Sequence, residues 1–294
     1  MRISGPKIVS GLINRPTGVV SRVVGRVTGA PSLEKAVAGK TVLLTGASSG
    51  IGEAAAVRLG EAGARVLLVA RSRDKLEELA AGAGDAHALP CDLSDMDAID
   101  ELIQRVLADH GRVDVLVNNA GKSIRRSIHL SYDRFHDFER TMQLNYLGPV
   151  RLTLGFLPGM RERGSGQLIN VSTTGVYFRV PRFSAYIASK AALEAFSDCI
   201  AAEIGRDGVQ VSSLQMPLVR TPMITPTKIY RTMPSLSPEQ AAEWVVDAIV
   251  HRPRRMGTHL GNMAAIADVV SPGPMGAVRS AGYRLVPDSR AARE

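Results

Sequence analysis

Tyr186 and Lys190 lie four residues apart in the stretch SAYIASK, a spacing that places two side chains on one face of a helix. A free tyrosine has a pKa near ~10, so at neutral pH its phenol is a usable acid and a poor base. A lysine ammonium one helical turn away stabilises the phenolate and lowers that pKa. We therefore predict that Tyr186 transfers a proton in a reaction and that Lys190 assists it.

A second stretch with chemical potential is TGASSGIG, Thr45–Gly52, which follows the apolar run KTVLL and opens an alanine-rich helix. In that context the glycines permit a tight turn, a close approach of pyrophosphate to the backbone, and close packing of helix on sheet. The start of the helix favours phosphate groups. We predict dinucleotide contacts at Gly46, Ser48, Ser49, Gly50, Ile51 and Gly52.

The elements that must hold these two stretches alternate along the chain. From Lys40 onward, short apolar runs of strand length alternate with segments of helical spacing, as in KTVLLTG, ARVLLVAR and VDVLVNNAG. This pattern predicts an α/β fold with a Rossmann-type, doubly wound parallel sheet and helices on both faces, in a single domain. We predict a basic extension over 1–38, the catalytic domain over 39–255, and a C-terminal extension over 256–294 with an irregular tail in its last thirty or so residues.

The glycine spacing GxxxGxG, the YIASK pair and the stretch NNAG together resemble the short-chain dehydrogenase/reductase family, over roughly Gly39 to Pro253. The resemblance implies that Asn119, Ala120 and Gly121 border the cofactor and that Asp92 and Leu93 flank its adenine. It also implies that Thr221 touches the nicotinamide amide, that Tyr186 and Lys190 also contact the cofactor, and that Asn145 kinks a helix and joins a proton relay. One departure from the family pattern is Leu218, which replaces a glycine in MPLVRTP.

The same resemblance places a catalytic hydroxyl thirteen positions before the tyrosine, which is Thr173 here, where the family usually has serine. Threonine carries the same hydroxyl on a more restricted side chain and can still donate to an oxyanion. A shift of one position would give this role to Ser172, so both residues stay candidates.

The end of the second predicted strand bears on the choice of cofactor. NAD-binding enzymes usually place an acid there to hold the ribose hydroxyls, whereas this chain has Ala70 followed by Arg71, Ser72 and Arg73. Arg71 can pair with a 2′-phosphate. We predict NADPH as the cofactor, against the alternative of a solvated basic turn.

Segments around the expected pocket resemble short-chain reductases that convert long-chain fatty acyl-CoA to fatty aldehyde. That resemblance implies hydride delivery to a thioester, with Tyr186 protonating the oxygen and Thr173 steadying the oxyanion. Ketone reduction on a 3-oxoacyl, steroid or similar carbonyl is the alternative, and a non-catalytic NADPH-binding scaffold is a third. Lys122, Arg125 and Arg126 are either contacts for CoA phosphates or a solvated loop. The methionine- and proline-containing segment from Met223 to Met233 suits a mobile lid over an apolar chain.

Composition narrows the remaining classes. The net charge is +8, and residues 1–33 hold five basic residues and no acid. A reading motif for nucleic acid is absent, as are a bilayer-spanning apolar run and the pattern of a signal peptide. The basic segment is either a membrane-surface element or a disordered extension, and we predict a cytoplasmic protein with peripheral membrane contact as an option.

Cysteine and histidine patterns predict neither a disulfide nor a metal site. Cys91 and Cys199 are far apart and are expected to be core thiols, while His129 and His136 lack ligand spacing. By resemblance to the family we also predict a homo-oligomer, a dimer or tetramer associated through the helices that carry Asn145 and Tyr186.

Overall fold

The continuous apolar runs of the sequence form neighbouring strands of one sheet in a computed structural model that describes residues 16–17, 31–225, 230, 232–288 and 292. The strands are β1 (Pro16–Thr17), β2 (Thr41–Thr45), β3 (Arg65–Ala70), β4 (Ala86–Pro90), β5 (Val115–Asn118), β6 (Gly166–Thr173), β7 (Val209–Met216) and β8 (Arg255–Thr258). Within the described residues, β8, β7, β6, β5, β2, β3 and β4 run parallel in that order, and β1 pairs antiparallel with β8. The predicted doubly wound, single-domain α/β fold is confirmed.

Helices connect the strands and cover the sheet. They are α1 (Leu33–Val37), α2 (Gly50–Glu61), α3 (Arg73–Gly82), α4 (Met96–His110), α5 (Phe135–Met142), α6 (Gly148–Glu162), α7 (Gly175–Phe178), α8 (Ser184–Ile204), α9 (Pro238–His251), α10 (His259–Val270) and α11 (Pro272–Leu285). Short 3₁₀ turns occur at Ile128–Leu130 and Pro222–Ile224. A π-helical turn, Gln143–Leu147, joins α5 to α6.

Strand alternation builds a core on each face of the sheet. Leu43, Leu67 and Leu116 contribute to the core on the side of α4 and α6, whereas their neighbours Leu44 and Leu68 contribute to the core under α2 and α9. All five side chains are fully buried. Strands that are apolar on both faces therefore require helices on both faces, which is why the runs lack the polar alternation of a half-exposed strand.

The order of strands reverses between β2 and β5. After β2 the chain continues to β3 on one side, and after β5 it continues to β6 on the other. Such a switch point leaves a crevice at the carboxyl ends of the strands, where ligands of this fold class bind. Thr45–Gly52 and the NNAG stretch follow β2 and β5, so both lie at this crevice.

The C-terminal part differs from the sequence prediction. An irregular tail was expected, but β8 extends the sheet and α10 and α11 follow it, with Pro272 at the start of α11 where its missing N–H is tolerated. The boundary predicted at residue 255 thus falls inside a strand.

At the other end, Leu33 and Val37 of α1 pack into the core although they lie in the predicted basic extension. The division into extensions and domain stays a prediction, and most of its first segment lies outside the described residues.

The remaining compositional expectations have mixed outcomes. Cys91 and Cys199 are both free; Cys91 is buried as expected, but Cys199 is exposed, so the expectation of a core thiol is wrong for Cys199. In the described part of the chain, no group of three or more His, Cys, Asp or Glu side chains is placed to hold a metal. Nor does any helix there have the length and apolar character needed to span a bilayer.

Candidate active site

The turn between β2 and α2 leaves no space for side chains at its glycines. Gly46 and Gly50 have φ values of +69° and +59°, the left-handed region that favours glycine. A β-carbon added at Gly52 would lie 2.2 Å from the Gly46 carbonyl oxygen, and one added at Gly50 would lie 2.8 Å from Cγ2 of Thr221. The packing therefore requires glycine at the three predicted positions.

The start of α2 is available to an anion. Ser49 occupies the N-cap position but makes no side-chain hydrogen bond to the helix. Ser48 is half-buried in the turn, and Ile51 packs against the core. The first N–H groups of a helix lack intrahelical partners and sit at the positive end of its dipole. A bare turn followed by an uncapped helix fits the pyrophosphate of a dinucleotide cofactor.

Thr45 and the NNAG stretch fix the shape of this turn. The Thr45 hydroxyl donates to the Val117 carbonyl (3.1 Å) and accepts from the backbone N–H groups of Asn119 (2.9 Å) and Ala120 (3.0 Å). In return, the Asn119 amide donates to the Thr45 carbonyl at 2.9 Å. Thr45 was not among the predicted site residues. Its signal in the sequence is a hydroxyl at the end of an apolar strand, where burial demands a partner.

At the end of the site where the adenosine is predicted, Arg71 and Asp92 interact through their charges. Arg71 is exposed after β3, and Leu93 is buried in the core. Burial raises the pKa of Asp92, but hydrogen bonds from Ser94 and the charge of Arg71 outweigh it, so the pKa of that carboxyl is lowered. Arg71 and Asp92 therefore lie close enough for their charges to interact, and their contacts with a cofactor stay a prediction.

Asn145 connects the NNAG stretch to the helix that carries the tyrosine. It is fully buried in the π-helical turn, where its Oδ1 accepts from the Lys122 N–H at 2.8 Å. Its Nδ2 donates to the Lys122 carbonyl (2.9 Å) and to the Ser189 hydroxyl (3.0 Å), and Ser189 donates to the Tyr186 carbonyl (2.8 Å). The predicted kink at Asn145 thus appears as a widened helical turn. Ser189, which the sequence argument omitted, completes the connection.

Lys190 is almost completely buried, at 3% exposure, and its Nζ donates to the Val171 carbonyl at 2.7 Å. A β-carbon added at Gly121 would lie 3.5 Å from this Nζ, so the end of NNAG closes directly over the lysine. Burial lowers the pKa of Lys190 to about 8, while the Glu194 carboxylate one turn later opposes that shift. The ammonium is therefore charged at neutral pH but loses its proton more easily than a free lysine.

Tyr186 is half-buried beside Thr173. Burial raises the pKa of Tyr186 to about 12, a hydrogen bond with the Thr173 hydroxyl lowers it in part, and Tyr230 adds to the increase. The predicted lowering of this pKa, by Lys190 beside a positively charged nicotinamide ring, stays a prediction; among the protein groups, desolvation exceeds the stabilising contact with Thr173. A phenol with a raised pKa holds its proton and suits the acid role rather than the base role.

The two candidate hydroxyls have different partners. Thr173 contacts Tyr186 and accepts from the Gly175 N–H at 3.1 Å, which leaves its proton free to be donated. Ser172 is buried, and its hydroxyl donates to Glu194 Oε1 at 2.5 Å. The geometry therefore favours Thr173 over Ser172 as the hydroxyl next to Tyr186. Burial raises the pKa of Glu194, with the Ser172 hydrogen bond acting in the opposite direction.

Aromatic rings and a closing loop border the tyrosine. Phe183 lies 6.4 Å from the Tyr186 ring, centroid to centroid, and stacks with Tyr230 at 6.5 Å. Thr221 lies against Gly50, so the loop after β7 reaches the glycine turn. Leu218, the departure from the family pattern, is held in this loop because its carbonyl accepts from the Leu236 N–H at 2.8 Å. Part of the predicted lid, residues 226–229 and 231, lies outside the described residues.

The basic loop after NNAG is only partly available to a ligand. Arg126 forms an ion pair with the buried Asp137 (3.1 Å), so it is already engaged within the protein. Arg125 donates to the Pro287 carbonyl (2.9 Å), and burial, together with the nearby charge of Arg182, lowers its pKa. Lys122 is exposed. Arg125 and Lys122 thus remain as candidate anion contacts.

A C-terminal clasp holds the loops beside the tyrosine; we use this name for the contacts made by Asp268, Tyr283 and Asp288. Asp288 accepts from the Ser127 hydroxyl (2.6 Å) and from Arg182 Nε (2.8 Å). Arg182 also lies over the Tyr283 ring, 4.1 Å from its centroid. Asp268 pairs with Arg179 at 2.8 Å. Both arginines have positive φ, which other residues must hold in place.

The chain belongs to the short-chain dehydrogenase/reductase family: residues 40–230 match the family described as short chain dehydrogenase. It is therefore an oxidoreductase that binds a nicotinamide cofactor and acts on a small-molecule substrate. The glycine turn, Asn145, Tyr186 and Lys190 lie together at the switch point of the sheet, as the resemblance led us to expect.

Curated relatives match most of the chain. A fatty acyl-CoA reductase of Acinetobacter baylyi is 55% identical over 260 residues, which cover 87% of this chain and 88% of the relative. An uncharacterized oxidoreductase of Mycobacterium tuberculosis is 52% identical over 97% of this chain and 87% of its own length.

Solved structures agree on the fold and differ in cofactor. A short-chain dehydrogenase from Streptomyces avermitilis has a TM-score of 0.71 and 32% identity, and covers 84% of this chain and 98% of its own. A metagenomic short-chain oxidoreductase in complex with NADP has a TM-score of 0.64 at 33% identity, over 73% of this chain and 92% of its own. A 3-ketoacyl-(acyl-carrier-protein) reductase from Brucella melitensis complexed with NADH has a TM-score of 0.67 at 30% identity, over 72% and 91%.

Proposed function

We propose that this protein reduces long-chain fatty acyl-CoA to fatty aldehyde and free CoA, with NADPH as the hydride donor. The single observation that carries the substrate class is the 55% identity, over most of both chains, to a protein named fatty acyl-CoA reductase. The geometry around Tyr186 supports a carbonyl reduction of this kind, because a protonated phenol and the Thr173 hydroxyl are in hydrogen-bonding contact.

The side chains act on the substrate oxygen. The bound nicotinamide supplies a hydride to the thioester carbon. Thr173 donates a hydrogen bond to the oxygen as negative charge develops there, and Tyr186 transfers its proton to that oxygen. Lys190 stabilises the resulting phenolate, and the contacts of Asn145 with Lys122 and Ser189 hold this helix against the NNAG stretch. The hemithioacetal then collapses: the C–S bond breaks, its electron pair leaves with the sulfur, and the hydroxyl proton ends on that thiolate, so that aldehyde and CoA thiol are released.

NADPH is supported by the residues at the end of β3. Positions 70–73 hold no carboxylate, and Arg71 is exposed beside Asp92 at the predicted adenosine end. Arg71 would pair with the 2′-phosphate of the cofactor. The test is the ratio of kcat/KM for NADPH and NADH in the native protein and in Arg71→Ala, where the preference for NADPH is expected to fall. A native protein that uses NADH equally well contradicts this assignment.

The substrate proposal is tested with palmitoyl-CoA and NADPH by following free thiol. Native protein is expected to release thiol in step with NADPH oxidation. Tyr186→Phe is expected to lower kcat by about 10²–10⁴-fold while NADPH binding is unchanged. Full activity in this variant would refute the role of Tyr186.

The competing function is ketone reduction with the same side chains, favoured by the similarity to the 3-ketoacyl reductase. NADPH oxidation with a 3-oxoacyl substrate, together with no thiol release from palmitoyl-CoA, would establish it instead. Cofactor binding without turnover of either substrate would point to a non-catalytic scaffold.

Cellular placement and assembly belong to the same proposal. We infer a cytoplasmic homo-oligomer associated through the region of α5, α6 and α8. Exposed Leu147 and Leu154 near this region are compatible with such association. Sedimentation velocity of the native protein tests it, and a monomer at micromolar concentration would contradict it.

A further inference from the structure

α10 exposes its large apolar side chains to solvent and buries its small and charged ones. Its inward side carries small or charged residues, since Gly261, Ala264 and Asp268 are buried. Its outward side carries large apolar residues: Leu260 is 48% exposed, Met263 66%, Ile266 65%, Val269 82% and Val270 74%. A surface helix of a globular protein normally places such residues toward the core. Something other than water therefore covers this face of α10 in its working state.

The charges around this face identify the kind of partner. In residues 256–288 the only acids are Asp268, which is buried, and Asp288, which is half-buried, and both form arginine pairs of the C-terminal clasp. Arg284 is exposed on α11, close to the exposed apolar Leu285. The segment that contains the apolar face therefore has an exposed arginine and no fully exposed carboxylate.

The N-terminal sequence adds to the same charge. Pro16 and Thr17 pair with Thr258 and Gly257, the residues of β8 that immediately precede α10. The stretch 1–33, which contains this pair, has five basic residues and no acid. The two residues that pair with β8 therefore belong to a stretch of sequence whose charged residues are all basic.

We propose that the outward face of α10 docks this protein on an anionic lipid bilayer. Helices with one apolar face enter the headgroup region to a depth of roughly 5–10 Å, and neighbouring basic residues are attracted by anionic lipid. A second copy of the chain is a weaker occupant for this face. Stable dimers bury about 20–30 residues a side, whereas the row on α10 consists of five side chains.

The inward side of α10 packs next to the segment that carries the Thr173 hydroxyl. A β-carbon at Gly261 would lie 3.3 Å from Tyr177 and 3.4 Å from Thr174, so α10 packs on α7 and on the residue that follows Thr173. The docking face is the opposite side of this same helix, so α10 stands between the proposed bilayer and these residues. Docking through α10 requires only the surface of this helix and is independent of which substrate the enzyme reduces.

Vesicle flotation of the full-length protein tests the docking. Vesicles of phosphatidylcholine alone are compared with vesicles of equal parts phosphatidylcholine and phosphatidylglycerol. Native protein is expected to float with the anionic vesicles, and Met263→Glu/Ile266→Glu is expected to reduce the bound fraction by about tenfold or more. Met263→Ser/Ile266→Ser, which adds no charge, is expected to weaken binding in the same direction.

The matched control places two glutamates on a different exposed helix surface. Leu107→Glu/Ala108→Glu on α4 changes the net charge by the same amount and is expected to bind as the native protein does. NADPH binding in every variant verifies that the fold is intact.

Three outcomes would overturn the proposal. Native protein could fail to float with anionic vesicles, or the α10 variants could float as well as the native protein. In the third outcome, sedimentation velocity shows a smaller oligomer for the α10 variants while vesicle binding is unchanged, which would assign the face to a second copy of the chain.

Discussion

The glycine turn at the cofactor side and the C-terminal clasp at the substrate side hold the same crevice by different means. At the glycine turn, backbone atoms lie so close that a single added β-carbon at Gly52 would overlap the Gly46 carbonyl. At the clasp, Asp288 reaches Ser127 across 161 residues of sequence through side-chain contacts alone. The glycines of the first region leave no space for a side chain, whereas the second region is held by hydrogen bonds and ion pairs between side chains.

This difference explains which half of the site a sequence motif can describe. A turn made of backbone requires particular residues at fixed spacing, so it leaves a readable pattern. A clasp made of distant ion pairs leaves no spacing to read. We expect the cofactor side to respond to substitution through folding and cofactor binding, and the substrate side to respond through KM for the carbonyl substrate.

The largest expected effect comes from Gly52→Ala. Its β-carbon would meet backbone on the Gly46 side, and backbone cannot move away as a flexible side chain can. We expect a loss of stability of about 3 kcal/mol, at the upper end of the usual cost of overpacking, and loss of NADPH binding. Urea unfolding and cofactor fluorescence measure both quantities.

The control for this substitution is Gly82→Ala at the end of α3, where an added β-carbon meets nothing within 4 Å. It is expected to be neutral within about 0.5 kcal/mol. Equal behaviour of the two alanine variants would show that the turn is less tightly packed than described.

A smaller effect is expected from Asp288→Asn, which weakens the hold on Arg182 and Ser127. Because Arg182 directly precedes Phe183, its release loosens the rings beside Tyr186 without touching the glycine turn. We expect KM for the acyl substrate to rise about tenfold, a change of about 1.4 kcal/mol, with KM for NADPH unchanged.

Asp207→Asn provides the comparison, because it weakens an exposed ion pair with Arg161. Asp207 precedes β7 and therefore lies at the amino end of that strand, away from the crevice at the carboxyl ends. Such surface pairs contribute about 0–1 kcal/mol, and no change in either KM is expected. A rise in KM for NADPH in Asp288→Asn would contradict the separation of the two regions.

The smallest expected effect is a shift in the pH profile of kcat/KM, which depends on Lys190 between the glycine turn and the clasp. Burial lowers the pKa of Lys190 to about 8, so kcat/KM is expected to fall as pH rises through that value and the ammonium loses its charge. The Glu194 carboxylate raises the pKa of Lys190, so Glu194→Gln is expected to move this alkaline limb to lower pH.

Glu203→Gln, an exposed position on the same helix, should leave the profile unchanged. The profiles are measured as kcat/KM against pH for all three proteins. An alkaline limb that stays in place in Glu194→Gln would show that Glu194 does not act on Lys190.

The sequence by itself predicted the parallel sheet, the glycine turn and the tyrosine–lysine pair. These features depend on local requirements, since strands buried on both faces must be apolar throughout and a bare turn must contain glycine. The resemblance to the family also identified Asn145, through the stretch QLNYLG, and the two hydroxyl candidates, through their position relative to Tyr186.

Only the tertiary structure decided which hydroxyl lies beside Tyr186 and that the Ser172 hydroxyl donates to Glu194. It also decided that burial raises the pKa of Tyr186. It also revealed that the residues expected to form an irregular tail are two helices, and that α10 turns its apolar side outward. The physical reason is that a side chain's direction, its desolvation and its ion-pair partner are set by residues far away in the chain, which leave no local pattern.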